Sequence, residues 1–215
     1  MKKLILASVA ALALCATSAF ADEAVKTAGK GTIKLDVRVT AVVPDESGDI
    51  LTAAGADSGL DVAVNDSYVP TIGLEYYLTD NVSIEAIAGT ANHTVKAVNA
   101  TTNVKVMELW HLPPTVTAKY HVKTGSKLTP YVGAGLTYIW FYSEAKKNGF
   151  DVNLKDGFGY ALQLGADYDL KGPWSLNFDV KKIMFETDAD INAGALKSAV
   201  TLDPLVASVG FGYKF

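Results

Sequence analysis

The fold is decided by the C-terminal stretch LVASVGFGYKF, which runs from Leu205 to Phe215. Successive side chains of a β-strand point to opposite faces, so residues two positions apart share a face. Here one face is apolar and ends on an aromatic ring, whereas the other is mostly small or polar. Because a bilayer demands a wholly apolar face, this pattern indicates a lipid-facing strand of a transmembrane β-barrel. The apolar face comprises Leu205, Ala207, Val209, Phe211, Tyr213 and Phe215.

The N-terminus carries the features of a secreted protein. Two lysines precede an apolar run, and Ala19-Phe20-Ala21 is a small-residue cleavage pattern. This arrangement predicts a secretory signal peptide at residues 1–21, which is cleaved. The apolar run is shorter than the about 20 residues that a membrane-spanning helix requires. We therefore expect the mature domain at residues 22–215, without the sole cysteine, Cys15.

Composition and charge limit the class of protein. Hydrophobic residues make up 49% of the chain, which is enough for one domain with its own core. The formal net charge of −4 becomes −6 once the two N-terminal lysines are removed, and Arg38 is the sole arginine. An acidic chain of this kind is not expected to bind nucleic acid. The remaining classes are a membrane barrel and a soluble β-sandwich or lipocalin-like barrel.

The chain contains eight stretches in which apolar residues alternate with polar or small ones. Short and long connections join them in alternation. The alternating stretches are residues 32–43, 68–78, 82–89, 115–122, 129–141, 157–170, 174–183 and 205–215. The short connections are predicted turns at residues 79–81, 123–127 and 171–173. The long connections are interpreted as loops at residues 44–66, 143–156 and 186–200, and as a long hairpin at residues 92–111.

This pattern predicts an all-β fold, namely an eight-stranded antiparallel up-and-down transmembrane β-barrel with short periplasmic turns and longer extracellular loops. Aromatic residues cluster near the strand ends, where they would form the girdles typical of membrane interfaces. A soluble barrel would turn its apolar face inward and would need no girdles. The aromatic residues are Tyr76, Tyr120, Tyr168, Trp174 and Phe215 at one end and Tyr68, Tyr138, Trp140 and Phe158 at the other.

Charged residues occupy the lumen-facing positions in the periplasmic half of the predicted barrel. The interior of an eight-stranded barrel is only wide enough to be filled by side chains. Because both signs are present, we expect these side chains to pair and to plug the lumen. The predicted plug consists of Lys34, Asp36, Arg38, Glu75, Glu85, Lys119, Asp167, Asp179 and Lys181.

Lumen-facing positions in the outer half are apolar instead. They either fill the interior or line a funnel for a small hydrophobic ligand, since ligand sites are concave and mostly apolar. Val69 and Val206 belong to this set. The residues predicted to contact a ligand are Val42, Ile87, Ile139, Phe141, Ile183 and Phe185.

Two prolines, Pro113 and Pro114, precede the fourth strand at the level of this funnel. Proline has no N–H group, so it cannot contribute that hydrogen bond to the barrel wall. The pair is interpreted either as a lateral gate into the membrane or as the end of a long hairpin at the membrane surface.

No arrangement of residues indicates catalysis or metal binding. His93 and His111 fall in a predicted outer connection and His121 near the opposite rim, without the spacing of metal ligands. Carboxylate pairs and serine-histidine arrangements do not recur at one level of the barrel. We therefore expect neither an enzyme nor a bound metal or cofactor.

Seven motifs are distributed along the mature chain. They are Leu112-Pro113-Pro114-Thr115, Tyr120-His121, Pro130-Tyr131-Val132-Gly133-Ala134-Gly135, Gln163-Leu164-Gly165-Ala166-Asp167-Tyr168, Asp179-Val180-Lys181, Asp203-Pro204 and Gly212-Tyr213-Lys214-Phe215. In this order they resemble the motifs of the outer membrane protein W (OmpW) family of Gram-negative bacteria. The resemblance covers essentially the whole mature chain and implies an eight-stranded barrel that admits small hydrophobic molecules.

Two function classes therefore remain. The first is a conduit for small hydrophobic molecules in the outer membrane of a Gram-negative bacterium, with lateral exit into the membrane. The second is a structural or adhesive barrel that displays surface loops, for example as a phage or bacteriocin receptor. In either case we expect a monomer in contact with outer membrane lipids and, during its insertion, with the barrel-assembly machinery.

The first prediction concerns assembly, because Tyr213 and the terminal Phe215 resemble the signal that the barrel-assembly machinery recognises. Deletion of Phe215 should lower the amount of folded protein in the membrane. Membrane fractionation and heat-dependent gel mobility of intact and truncated chains measure this amount. A normal yield of inserted, heat-modifiable barrel without Phe215 would contradict the prediction.

Overall fold

The computed structural model describes residues 25–47, 49–193 and 195–215, which form an all-β fold. The signal peptide predicted at residues 1–21, with Cys15, lies outside the described residues. No helix in the described part of the chain is long and apolar enough to span a membrane. The strands are β1 (Ile33–Val43), β2 (Glu46–Ser47), β3 (Asp49–Thr52), β4 (Asp57–Val64), β5 (Ser67–Tyr77), β6 (Val82–Ala88), β7 (Ala91–Val98), β8 (Asn103–Leu112), β9 (Thr115–His121), β10 (Leu128–Lys146), β11 (Val152–Leu154), β12 (Gly157–Asp169), β13 (Trp174–Ile191), β14 (Leu196–Leu202) and β15 (Leu205–Lys214).

Eight of these strands close a barrel. Its order is β1, β5, β6, β9, β10, β12, β13 and β15, and every neighbouring pair is antiparallel. Closure occurs at β1, where Val37 lies between Ile72 of β5 and Phe211 of β15. The predicted eight-stranded antiparallel up-and-down barrel is confirmed.

The two faces of each barrel strand differ as the alternation predicts. In β1, Leu35 and Val37 are exposed on the outside, whereas Asp36 and Arg38 are buried in the lumen. A band of exposed apolar side chains of this size suits a bilayer rather than water. Aromatic rings mark its two edges, and they include the exposed Phe215.

A second sheet extends the wall beyond the outer rim of the barrel. We refer to it as the outer extension. The interpretation of residues 44–66, 143–156 and 186–200 as loops was wrong, because strands occupy most of the first and third stretches and half of the second. Outside a bilayer the outward face of a strand can be polar, so these stretches lack the lipid-facing pattern. The outer extension consists of β2, β3, β4, β7, β8, β11, β14 and the outer ends of β10 and β13.

The first described residues lie across the end of the barrel that carries the short turns. The N–H group of Lys26 donates to the carbonyl of Gly172 at 3.0 Å, and that of Lys30 donates to the Asp80 carboxylate at 2.9 Å. The ammonium group of Lys123 donates to the carbonyl of Ala28 at 2.7 Å. All three short turns therefore contact the N-terminal segment.

A second prediction concerns Gly135, which faces the lumen at a close approach of β9 and β10. A Cβ atom at Gly135 would lie 1.9 Å from the Val116 carbonyl oxygen, whereas one at Gly133 would lie 3.1 Å from its nearest neighbour. Gly135→Ala should therefore lower the free energy of unfolding by about 1 to 3 kcal/mol, as overpacking does elsewhere.

The measurement is urea unfolding in detergent micelles, with Gly133→Ala as the matched control on the same face of the same strand. Equal unfolding midpoints for the two variants would contradict the prediction.

Candidate functional site: apolar chambers above a charged plug

Lys34 lies at the centre of the charged lumen. Its ammonium group is 2.8 Å from both carboxylate oxygens of Asp167 and 3.0 Å from an oxygen of Glu75. It also lies 3.5 Å from Asp36. All four side chains are almost completely removed from solvent. A buried charge is tolerated when opposite charges and hydrogen bonds surround it, and this cluster meets that condition.

The other three cations of the predicted plug are held in the same way. Arg38 contacts Glu85 and lies 3.1 Å from Asp36, and Lys119 lies 3.0 Å from Glu75 and 3.5 Å from Glu85. Lys181 contacts Asp179 and lies 3.8 Å from Glu85. The structure thus brings all nine side chains of the predicted plug together as buried ion pairs that cross the lumen. We refer to these nine residues as the plug.

Other polar residues that the sequence reasoning did not select add hydrogen bonds to the plug. The Gln163 amide donates to Glu85 at 2.9 Å and to Asp179 at 2.6 Å, and the Tyr131 hydroxyl donates to Asp179 at 2.9 Å. His121 lies 2.9 Å from a Glu75 oxygen. These residues face the lumen in the same alternation as the charged residues, which is the signal that could have identified them.

A layer of hydroxyl groups lies next to the plug on its outer side. The Thr40 hydroxyl is 2.8 Å from that of Thr71 and 2.9 Å from that of Ser208. On the opposite wall the Thr115 hydroxyl donates to that of Thr137 at 3.0 Å. These hydroxyl groups bond to one another, and the layer lies between most of the plug and the apolar region.

Two adjoining apolar chambers, which share four lining residues, follow towards the outside. The inner chamber is continuous with the hydroxyl layer and encloses about 610 Å³, including the part open to solvent. The outer chamber lies within the outer extension and encloses about 880 Å³ on the same basis.

The six residues predicted to contact a ligand lie at these chambers. Ile87 and Ile183 line the inner chamber, and Phe141 lines the outer one. Val42 and Ile139 line both. Phe185 is buried, belongs to one apolar cluster with Ile139 and Ile183, and has its ring centroid 6.4 Å from that of Phe141.

Two histidines assigned to an outer connection also lie at the chambers. His93 is on β7 and His111 is on β8, and their rings stack with centroids 5.1 Å apart. Their inward orientation follows from the outer extension, whose inner face continues that of the barrel.

The ladder between the third and fourth barrel strands is interrupted beside the inner chamber. Pairing of β6 with β9 ends at Ile87 and Thr115, and pairing of β7 with β8 begins at Ala91 and His111. The register is unchanged across the interruption, so the strands remain side by side. Residues 88–90 thus face residues 112–114, which include both prolines, without ladder pairing.

Beyond Ala88 the other side of the same segment is also unpaired. Pairing of β5 with β6 ends at Ile72 and Ala88, and pairing of β4 with β7 resumes only at Val64 and Val95, with the register shifted by one residue. Within the described residues, neither Gly89 nor Thr90 therefore belongs to a ladder. We refer to residues 88–90 and the two interruptions beside them as the seam.

Prolines lie on both sides of the seam. The Pro114 carbonyl accepts a hydrogen bond from the Tyr138 N–H group at 3.0 Å, which ties this residue to β10. Pro70 was not selected from the sequence, but its carbonyl oxygen would lie 2.9 Å from a Cβ atom at Gly89. Since a proline has no N–H group, Pro70 and Pro113 cannot donate a bond that would close the seam.

With this geometry established, similarity to known proteins identifies the family. The OmpW family model matches residues 29–215. The chain belongs to the OmpW family. Outer membrane protein W of Escherichia coli (strain K12) is 33% identical over 225 residues, which cover 100% of each chain. The predicted location is confirmed: the protein is an outer membrane β-barrel.

Two further relatives have informative structures or names. The crystal structure of OprG from Pseudomonas aeruginosa is similar with a TM-score of 0.81 and 29% identity, and the match covers 87% of this chain and 97% of that chain. The dibenzothiophene metabolism operon protein PahQ of Pseudomonas aeruginosa is 26% identical over 83% of this chain and 86% of its own length.

A third prediction concerns the plug. Arg38→Met removes a buried cation and leaves Glu85 and Asp36 with less compensation, and the loss of one partner of a buried pair costs about 3 to 5 kcal/mol. We expect a lower unfolding midpoint in micelles or greater ion leakage in planar bilayers. In the double variant Arg38→Met with Glu85→Gln, which removes the excess negative charge, we expect part of the loss to be recovered.

The matched control is Lys155→Met. Lys155 lies 3.0 Å from Asp188 in an exposed pair of the outer extension, and the hydrogen bond to Asp188 raises the pKa of Lys155. Exposed ion pairs add little stability, so this variant should unfold like the parent protein. Parent-like stability and conductance of Arg38→Met would contradict the role of the plug.

Proposed function

We propose that this protein admits small hydrophobic molecules through the apolar chambers and releases them sideways, through the seam, into the outer membrane. The observation that carries the proposal is the position of the seam. Gly89 and Pro113, which lie on its two strands, also line the inner chamber. The seam, where the barrel wall lacks ladder hydrogen bonds, therefore adjoins the inner chamber, where an apolar molecule would be held.

A straight route to the periplasm is unfavourable for such a molecule. It would have to separate the ion pairs of the plug, for example those of Lys34 and Lys119 with Glu75. An apolar molecule offers nothing to replace the lost partners, and an unpaired buried charge is strongly destabilising. The lateral route exchanges one apolar environment for another.

The seam lowers the barrier of that lateral route. In lipid each backbone N–H or C=O group without a partner costs several kcal/mol, which is why barrel walls are closed by ladders. Parting strands at Gly89 and Thr90 breaks no ladder bond, whereas parting β6 from β9 further down would break several. The seam is thus the part of this wall that opens most easily.

The name of one relative supports the chemical class. Dibenzothiophene, which appears in the name of PahQ, is a small, apolar heteroaromatic molecule. By analogy, we infer that the cargo of this protein is small and mainly apolar.

A fourth prediction tests the lateral route with a disulfide. The double variant Thr90→Cys with Leu112→Cys joins the strands across the seam. Ile87 pairs with Thr115 below the seam and Ala91 pairs with His111 above it. Because the register is the same in both pairs, residues 90 and 112 lie opposite each other. Oxidation should at least halve the uptake of a hydrophobic test compound by cells, and reduction should restore it. A chain that loses Cys15 with its signal peptide contains no competing thiol.

The matched control is Ala86→Cys with Val116→Cys, which joins a paired position of the same two strands and should leave uptake unchanged. A second crosslink, Thr71→Cys with Gly89→Cys, closes the other side of the seam, where the Cβ positions are 3.3 Å apart. Unchanged uptake with both seam crosslinks, in barrels that remain folded and heat-modifiable, would contradict the lateral route. It would favour the structural or adhesive barrel with its displayed hairpins.

A further inference from the structure

His111 lies at the junction of the two chambers. Among the described residues, Val42, His111, Ile139 and Pro204 line both chambers. His111 alone of these four has a polar side chain. A molecule that passes from the outer chamber to the inner one must therefore move past this imidazole.

Most other polar side chains that line the chambers already have partners. Thr40 and Thr115 bond to other hydroxyl groups, the Thr187 hydroxyl donates to the Lys155 carbonyl at 2.9 Å, and His93 is 2.7 Å from the Asn65 carbonyl. Ser198 also has a partner, and Lys96 is half-exposed. Thr71 has its partner in the hydroxyl layer, and Lys181 has its partner in the plug.

His111 differs from them. Its imidazole forms no hydrogen bond with any residue that the structure describes, and its Nδ1 atom is buried without a partner. Such an atom loses its hydrogen bond to water and gains nothing in return, which is unfavourable. The chamber wall thus retains an unused hydrogen-bonding group.

Neighbouring rings hold this imidazole in place. It stacks on His93 and lies with its centroid 6.0 Å from that of Phe141. No hydrogen bond to a described residue selects its tautomer, so either ring nitrogen can donate or accept. A hydroxyl group, which can also do both, is the complementary partner.

We propose that His111 binds the uncharged hydroxyl head of a small amphiphile, an alcohol or phenol, whose apolar body occupies the inner chamber. This inference rests on the proposed uptake of hydrophobic molecules and narrows their class. A pure hydrocarbon leaves His111 unpaired, whereas a hydroxylated molecule of the same size satisfies it. The site therefore selects hydroxylated molecules over hydrocarbons.

The test compares 1-octanol with n-nonane, which have the same number of heavy atoms. The full barrel in lipid nanodiscs is titrated by calorimetry, and partition into empty nanodiscs is subtracted. One neutral hydrogen bond corresponds to an affinity about three- to tenfold higher for octanol. His111→Phe should abolish this preference and leave nonane binding intact, whereas His111→Gln, which keeps a polar head, should retain part of it.

The matched control is Trp110→Phe, which alters an exposed ring beside His111 in β8 that lines neither chamber, and it should preserve the preference. Equal affinities of the parent protein for octanol and nonane would overturn the role of His111 while leaving hydrophobic uptake in place. A preference that persists in a folded His111→Phe barrel would also overturn it. If neither compound bound the parent protein, both the inference and the proposed function would fail.

Discussion

A chain that crosses a bilayer as strands must close on itself, because lipid offers no partner for backbone N–H and C=O groups. In this protein the closure is made by β1 and β15, which pair over their whole lengths. Closure forces every strand to present one face to lipid and one to the lumen. The apolar exterior and the polar interior are therefore consequences of a single constraint on backbone hydrogen bonding.

The lumen that results is too narrow to remain open, and its contents change along the axis. Ion pairs fill the periplasmic part, hydroxyl groups such as those of Thr40 and Thr115 follow, and apolar side chains line the outer part. Hydroxyl groups thus lie between most of the ion pairs and the apolar chambers, and of the plug residues Lys181 alone lines the inner chamber. A solute that enters from outside meets decreasing hydrophobicity with depth, which opposes its passage to the periplasm.

The part of the fold in contact with lipid could be predicted from the sequence, because there the bilayer imposes a strict alternation. In β1 the buried Arg38 and the exposed Val37 follow directly from it. The outer extension could not be predicted, because its outward face meets water and its polar residues resemble those of loops. His93 and His111 were consequently assigned to a connection rather than to the chamber wall.

For a related reason, only part of the candidate site could be predicted from the sequence. Alternation places Lys34 and Glu75 on the lumen side. Because the lumen of an eight-stranded barrel is narrow, the two opposite charges then lie close enough to pair. The seam depends instead on the register between strands. The register of the β4–β7 pairing differs by one residue from that of the β5–β6 pairing. Register is a property of pairs of strands, so neither Pro70 nor Gly89 stood out in the sequence.

The contact between the two ends of the chain has a consequence for the speed of folding. Lys26 and Lys214 are 188 positions apart, yet each donates a hydrogen bond to the carbonyl of the other. Contacts of such high sequence separation require the loss of chain entropy before they yield any stabilisation, and folds rich in them form slowly. The contacts between Lys26 and Lys214 consequently form only once β15 is in place, and the barrel remains open between β1 and β15 until then.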